Sequence, residues 1–239
     1  YVGVLGDGDN GVTITKTDAE LAAAAQTNED TNFNFSTLGV DIGDDSTHTT
    51  IKVTVTVDSG TLTSGDFSAS SILFQGSLIN VNTELDNLVF SPVTNTTDSV
   101  TVTINVDDLT GGDNSTASRE FQLTIAPQPD APTLTGDAVL DAVAEDSDPD
   151  GASVTSLFGS LFSDVDGDTL AGIAIVDDAS NSSQGNWEYQ ISGGGWTSIG
   201  SVSATNALLL DKDTLLRFNP AENYHDTPDN LTVRAIDSS

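Results

Sequence analysis

Residues 88–107 read LVFSPVTNTTDSVTVTINVD, and residues 216–237 read LRFNPAENYHDTPDNLTVRAID. Both carry Leu-x-Phe-x-Pro-x-x-Asn: Phe90, Pro92 and Asn95 in the first, Phe218, Pro220 and Asn223 in the second. A turn segment follows each, then a run of alternating apolar and polar residues that ends at Asp107 or Asp237. One structural unit therefore occurs twice. Working outward, the same period of two marks 51–57 (IKVTVTV) and 121–125 (FQLTI). β-branched residues dominate these runs, and Asp, Gly, Ser and Asn clusters separate them, which predicts strands joined by turns. Only 18–25 (DAELAAAA) and 78–88 (LINVNTELDNL) have helix character, the second read as a short helical turn between strands. The break between the units falls at 126–132, APQPDAP, whose three prolines suit a stiff linker and not a paired strand. The expectation is an all-β chain of two tandem Greek-key β-sandwiches, 28–128 and 129–239, with about seven strands each. Residues 1–27 form an N-terminal segment that matches neither unit.

The chain has 239 residues, 6 Lys+Arg and 37 Asp+Glu, for a formal net charge of −31. Such a surface repels nucleic acid and anionic lipid, so neither is expected as a direct partner. Thirty of the acids are Asp and only seven are Glu. Asp is a poor helix former that favours turns and metal-binding loops. Halophilic adaptation would enrich Glu as well. Cysteine and methionine are absent, which excludes disulfides and thiolate metal sites. Oxygen-ligated Ca2+ is the cross-link that remains. No stretch approaches the ~20 apolar residues of a membrane-spanning helix, and no signal peptide is visible at YVGVLGDGDNG. The chain reads as a fragment whose targeting signals lie elsewhere.

Four stretches together resemble the bacterial cadherin-like repeats of giant RTX-type adhesins. They are 55–63 with 72–92, the junction PDAPTLTG (129–136), LFGSLFSDVDGDTLAGIAIV (157–176), and 186–200 with 208–228. They cover most of 28–239. The resemblance implies a cadherin- or immunoglobulin-like sandwich with calcium-binding loops, export by type I secretion, and display at the bacterial cell surface. It also implies neighbouring repeats of the parent protein as partners. Such repeats act mainly as calcium-stiffened spacers, interrupted by modules that bind a host glycan or peptide.

Asp164-Val-Asp166-Gly-Asp168 is the sharpest candidate site. Alternating Asp residues around a Gly let a tight loop turn several carboxylates inward, and calcium takes about six to eight oxygens. By the resemblance, Asp237 sits at the same end of the sandwich, Asp130 lies in the linker, and Glu29 adds a ligand from the first unit, so that these residues converge on one interdomain calcium. The bland alternative is a solvated acidic turn. Asp146-Ser-Asp148-Pro-Asp150-Gly151 begins like an EF-hand loop, but its twelfth position is Leu157 in place of Glu. Asp41, Asp44 and Asp45, with Asp107 and Asp108, repeat the arrangement in the first unit. Asp7, Asp9 and Asn10 resemble a calcium loop more loosely.

Trp187, Tyr189 and Trp196 bracket a Gly-rich hairpin (192–195), and Tyr224 lies in the loop AENYHDTPD. They are either a platform for sugar or peptide, or large aromatics that fill a core and cover a hairpin. His48 and His225 have no nucleophile in a recognisable context, and carboxylates are too many for any pair to be informative. The chain is therefore read as non-enzymatic. Three functions stay open: an extender of an adhesin, a ligand-binding module of such a protein, and an accessory domain of a secreted polysaccharide-degrading enzyme. One further expectation concerns strand count. In the first unit REFQLTI (119–125) supplies a seventh strand, whereas only Asp237, Ser238 and Ser239 follow 231–236. The second unit is thus expected to lack its last strand, with truncation or an insertion in the parent as the cause, and 11–16 (GVTITK) is expected to pair inside the first unit.

Overall fold

The computed structural model describes residues 11–44, 50–111, 115–144 and 146–239. The chain is mostly β-strand in several sheets, and it divides into Tyr1–Gln128 and Pro129–Ser239. Asp7, Asp9, Asn10, Asp45 and His48 lie outside the described residues.

The first unit runs β1 (Val12–Ile14), α1 (Asp18–Ala24), β2 (Gln26–Asn28), β3 (Phe33–Asn34), β4 (Ile42–Asp44), β5 (Ile51–Val57), β6 (Thr61–Ser64), β7 (Phe67–Ala69), β8 (Ser71–Gly76), α2 (Leu78–Asp86), β9 (Val89–Ser91), β10 (Val100–Asp107) and β11 (Thr116–Ala126). β5 shows how the alternation becomes structure. Its Ile51, Val53, Val55 and Val57 are buried while Lys52, Thr54 and Thr56 are only partly so. A strand's side chains alternate between faces, so one face enters the core and the other meets water. One sheet has the order β2-β11-β10-β5-β8 and another β3-β9-β6-β7, with β1 pairing β4. Phe33, Leu62 and Phe90 of the four-stranded sheet and Val53, Val102 and Leu123 of the five-stranded one join a single apolar cluster. α2, between β8 and β9, is a nine-residue helix that buries Val81 and Leu85. α1 starts with a capping box between Thr17 and Glu20. GVTITK pairs with Ile42–Asp44 inside the first unit.

The second unit repeats this order: β12 (Thr133–Leu134), β13 (Ala152–Ser153), α3 (Val154–Phe158), β14 (Phe162–Ser163), β15 (Gly172–Asp178), β16 (Gly185–Gln190), β17 (Thr197–Ser198), β18 (Leu208–Asp211), β19 (Leu215–Pro220) and β20 (Leu231–Ile236). The sheet β13-β19-β16-β17 corresponds to β3-β9-β6-β7, β18-β15-β20 to β8-β5-β10, and β12-β14 to β1-β4. Among the described residues nothing in the second unit corresponds to β11 or β2. Among the described residues its buried cluster has eight members against twenty-six in the first.

The repeated Asn now has a physical reason. Asn95 and Asn223 both adopt positive φ, 55° and 60°. In each unit the Asn N–H is accepted by an Asp that also has positive φ: Asp30 Oδ1 for Asn95 and Asp146 Oδ1 for Asn223, both at 3.0 Å. Asn and Asp tolerate the left-handed region better than most residues. Each pair ties the turn after β9 or β19 to the segment before β3 or β13. Asp30→Ala is expected to cost about 1–2 kcal/mol, from a lost charge-assisted hydrogen bond and an unfavourable φ. Asp30→Asn should cost less than half of that. Urea denaturation of both variants checks the ranking.

Candidate metal centre

β14 delivers the chain into Asp164–Asp168, and the buried Leu170 and β15 follow it. Asp164 Oδ1 accepts the N–H of Asp166 at 2.8 Å and of Asp168 at 3.3 Å, so the loop curls around its first carboxylate. Gly167 stands at φ +82°, where a side chain would be strained. Asp166 Oδ2 accepts the Asp130 N–H at 2.7 Å, and Asp168 Oδ1 accepts the Ser238 hydroxyl at 2.9 Å. One carboxylate oxygen from each of Asp164, Asp166 and Asp168 lies within 4.8 Å of the others. Asp164 Oδ2 is buried and has no hydrogen-bond partner. A desolvated carboxylate oxygen with no donor is costly. A cation at the trio would satisfy it, and a donor set made only of oxygen suits a hard divalent ion. This acidic cluster can hold a metal ion.

Several of the other predicted ligands do not join the Asp164–Asp166–Asp168 trio. Asp237 Oδ1 accepts from Ser239 N and Oγ at 3.1 and 2.6 Å, and it does not join the trio. Glu29 is 4 % exposed in the first unit, where its Oε1 accepts the Gln128 N–H at 2.7 Å. Asp44 lies in β4 opposite Val12. Asp146, Asp148 and Asp150 do not converge. Asp146 holds Asn223, Asp148 pairs with Arg217, and Asp150 is exposed. The stretch that begins like an EF-hand loop is instead a strap across β19. Arg217 also donates to the Pro149 carbonyl at 2.8 Å.

Asp107 and Asp108, adjacent candidates in the sequence, face opposite ways. Val100, Val102, Ile104 and Val106 face the core, so that phase continues to Asp108 and turns Asp107 outward. Asp108 is 3 % exposed; its Oδ1 accepts from Thr110 N and Oγ1, while its Oδ2 is buried with no hydrogen-bond partner. In β20 the inward phase of Leu231, Val233 and Ala235 runs on to Asp237, so the residue matching Asp237 is Asp108. The alternation itself carried that signal. Asp107 Oδ2 meets Lys52 Nζ at 2.9 Å. Lys52 and then the Leu109 N–H hold the Asp107 carboxyl below its ordinary value. A depressed carboxyl contributes stability above its unfolded value and loses it as pH falls through the folded one. The pair is solvent-screened, so Lys52→Met is expected to cost only about 0.5 kcal/mol at neutral pH. The loss should shrink below the folded value of Asp107, which denaturation at two acidic pH values and at pH 7 checks.

The aromatic candidates are engaged within the second unit. Trp196 lies over the Arg217 guanidinium, 4.0 Å from ring centroid to carbon. Trp187 stands edge-on to Phe218 at 5.3 Å, and its Nε1–H donates to the Asp229 carbonyl at 3.1 Å. Tyr189 packs against the core, and the Tyr224 hydroxyl donates to the Thr227 carbonyl at 2.8 Å. Among the described residues no helix is long and apolar enough to cross a membrane. Compared with known proteins, the chain matches no family model, and no curated protein is similar to it.

Proposed function

We propose that this chain is a calcium-stiffened extender of a large bacterial surface adhesin, built from two Greek-key β-sandwiches and working outside the cell as a spacer. The observation that carries the reading is the Asp164–Asp166–Asp168 cluster with the buried, unpartnered Asp164 Oδ2. Asp164, Asp166 and Asp168 would hold the ion, which supplies positive charge where the chain has 37 acids against 6 bases. Held so, the loop after β14 loses freedom, because carboxylates that repel one another are drawn onto one centre. The repeated topology suits a spacer, since like units can be strung together. Engagement of Trp187 and Trp196 by neighbouring side chains favours a spacer over an aromatic platform for ligands.

Titration calorimetry with calcium tests the site. Wild-type protein is expected to bind calcium, and Asp164→Asn to weaken one site by about tenfold or more, because ligand charge sets affinity in such loops. An unchanged isotherm for Asp164→Asn would remove the ion from this loop. A screen of glycans and extended peptides in calcium tests the spacer role. Saturable binding to one class would favour the ligand-binding reading instead.

A further inference from the structure

One stretch of the first unit carries no charge. In a chain with 18 % charged residues, the seventeen from Phe67 to Thr83 include none. They hold β7, β8 and most of α2. Phe67, Leu73 and Ile79 are exposed along the stretch, Leu73 by 60 %. β8 ends the five-stranded sheet, and β7 ends the four-stranded one. Soluble proteins blunt such edges with charges, Pro, bulges or very short strands. β7 is only three residues long. β8 has six, SILFQG, and pairs with β5 in unbroken register from Ser71 opposite Thr56 to Gly76 opposite Ile51. None of the blunting devices is present in β8.

Hydrogen bonding locates its open groups. Val57 N–H donates to the Ser70 carbonyl at 2.9 Å. The even-numbered residues from Ser70 to Gly76 therefore turn their backbone groups toward β5, and Ser71, Leu73 and Gln75 turn theirs toward the edge. An open row of this kind is a template for another strand. This row is also self-complementary. An antiparallel copy centred on Leu73 sets Leu73 opposite itself and Ser71 opposite Gln75, so every edge-facing N–H and C=O of the three meets a partner. The cross-strand pairs are uncharged: Leu73 with Leu73 on the outer face, Ile72 with Phe74 on the inner.

We propose that the β8 edge is the contact of a homodimer, in which two copies of this chain pair β8 with β8, antiparallel about a two-fold axis at Leu73. Charge selects the occupant. Each copy has a net charge of −31, so two copies meet at least cost where neither presents an acid, and residues 67–83 are such a place. A basic partner finds no carboxylate on this strand to pair with. A two-fold contact uses the same patch on both copies and closes, which gives pairs and not fibres. The matching edge of the second unit, β18, is less suited. Lys212 N–H donates to the Ala171 carbonyl at 2.9 Å, so alternation turns Leu209 and Asp211 outward, and Asp211 puts an acid in the row. The β8 pairing rests on backbone and apolar groups and does not depend on an ion at Asp164.

Sedimentation equilibrium of the full chain tests the pairing over a range of sodium chloride, at protein concentrations up to about 1 mM, where weak specific pairs form. A monomer–dimer equilibrium with no larger species is expected. It should strengthen with salt, because screening relaxes the repulsion between the two chains. Leu73→Glu sets two carboxylates opposite one another and should weaken the dimer by about tenfold or more. Disulfides read the register, since the chain has no cysteine of its own. Leu73→Cys should cross-link to its own copy under mild oxidation, whereas Ser71→Cys should cross-link only when mixed with Gln75→Cys. A monomer at every concentration and salt, or a dimer that Leu73→Glu leaves unchanged, would overturn the proposal. So would a dimer that weakens with salt, or equal cross-linking of Leu73→Cys and Ser71→Cys when each is alone.

Discussion

Arg217→Ala is expected to destabilise the second unit by about 3 kcal/mol, the cost of breaking a buried ion pair from one side. Arg217 on β19 sits directly opposite Glu188 on β16. Its Nε and Nη2 lie 2.8 and 2.7 Å from Glu188 Oε2, with the Arg side chain 6 % exposed and the Glu 16 %. Alanine would leave the Glu188 carboxylate desolvated with its partner gone. It would also strip the cation from the face of Trp196, worth about 0.5–2 kcal/mol. Asp148 adds less, because its side chain is 84 % exposed and water screens it. Arg217→Lys keeps the charge but not the planar fork, so an intermediate loss is expected. A double-mutant cycle with Glu188→Gln isolates the pair, and hydrogen exchange should show the loss on β16 and β19. A cost under about 0.5 kcal/mol would mean that the strap across β19 is held by packing alone.

Calcium is expected to raise the melting temperature of the second unit. An ion bound only by the folded state adds about 2.7 kcal/mol at a hundredfold excess over its Kd. For a unit of roughly this size that is on the order of 10 °C. Two effects contribute, and salt separates them. Sodium chloride screens repulsion between surface acids and should raise the melting temperature somewhat without calcium. With a single charge, sodium binds a carboxylate cluster far more weakly than calcium, so a calcium increment at Asp164 Oδ2 should survive in high salt. Asp164→Ala with Asp166→Ala should abolish that increment and leave the salt effect in place. Identical melting in calcium and in EGTA at high salt would sink the calcium reading.

The all-β character was legible in the sequence because strand burial is a local rule. IKVTVTV alternates in sequence, and residues 51–57 alternate in burial. The same rule, followed one residue further, would have picked Asp108 over Asp107. The repeated Leu-x-Phe-x-Pro-x-x-Asn was also visible, but its reason was not. The Asp that holds Asn95 lies 65 residues away, and the one that holds Asn223 lies 77 away.

Acid spacing was weaker guidance than strand alternation. Asp164, Asp166 and Asp168 converge because a short loop closes on itself, a property of neighbouring residues. Asp146-Ser-Asp148-Pro-Asp150 has similar spacing and does not converge, because Arg217 and the Asn223 amide, both far along the chain, claim two of its carboxylates. Composition placed the acids in loops, but a carboxylate goes to whichever donor the fold brings near. Trp196 follows the same logic, since its guanidinium partner is 21 positions away on another strand. Local periodicity, turn residues and the repeat were thus set by the sequence alone. Tertiary structure decided which acids meet each other and which meet a cation or an amide, because charge pairing acts through space and has no period along the chain.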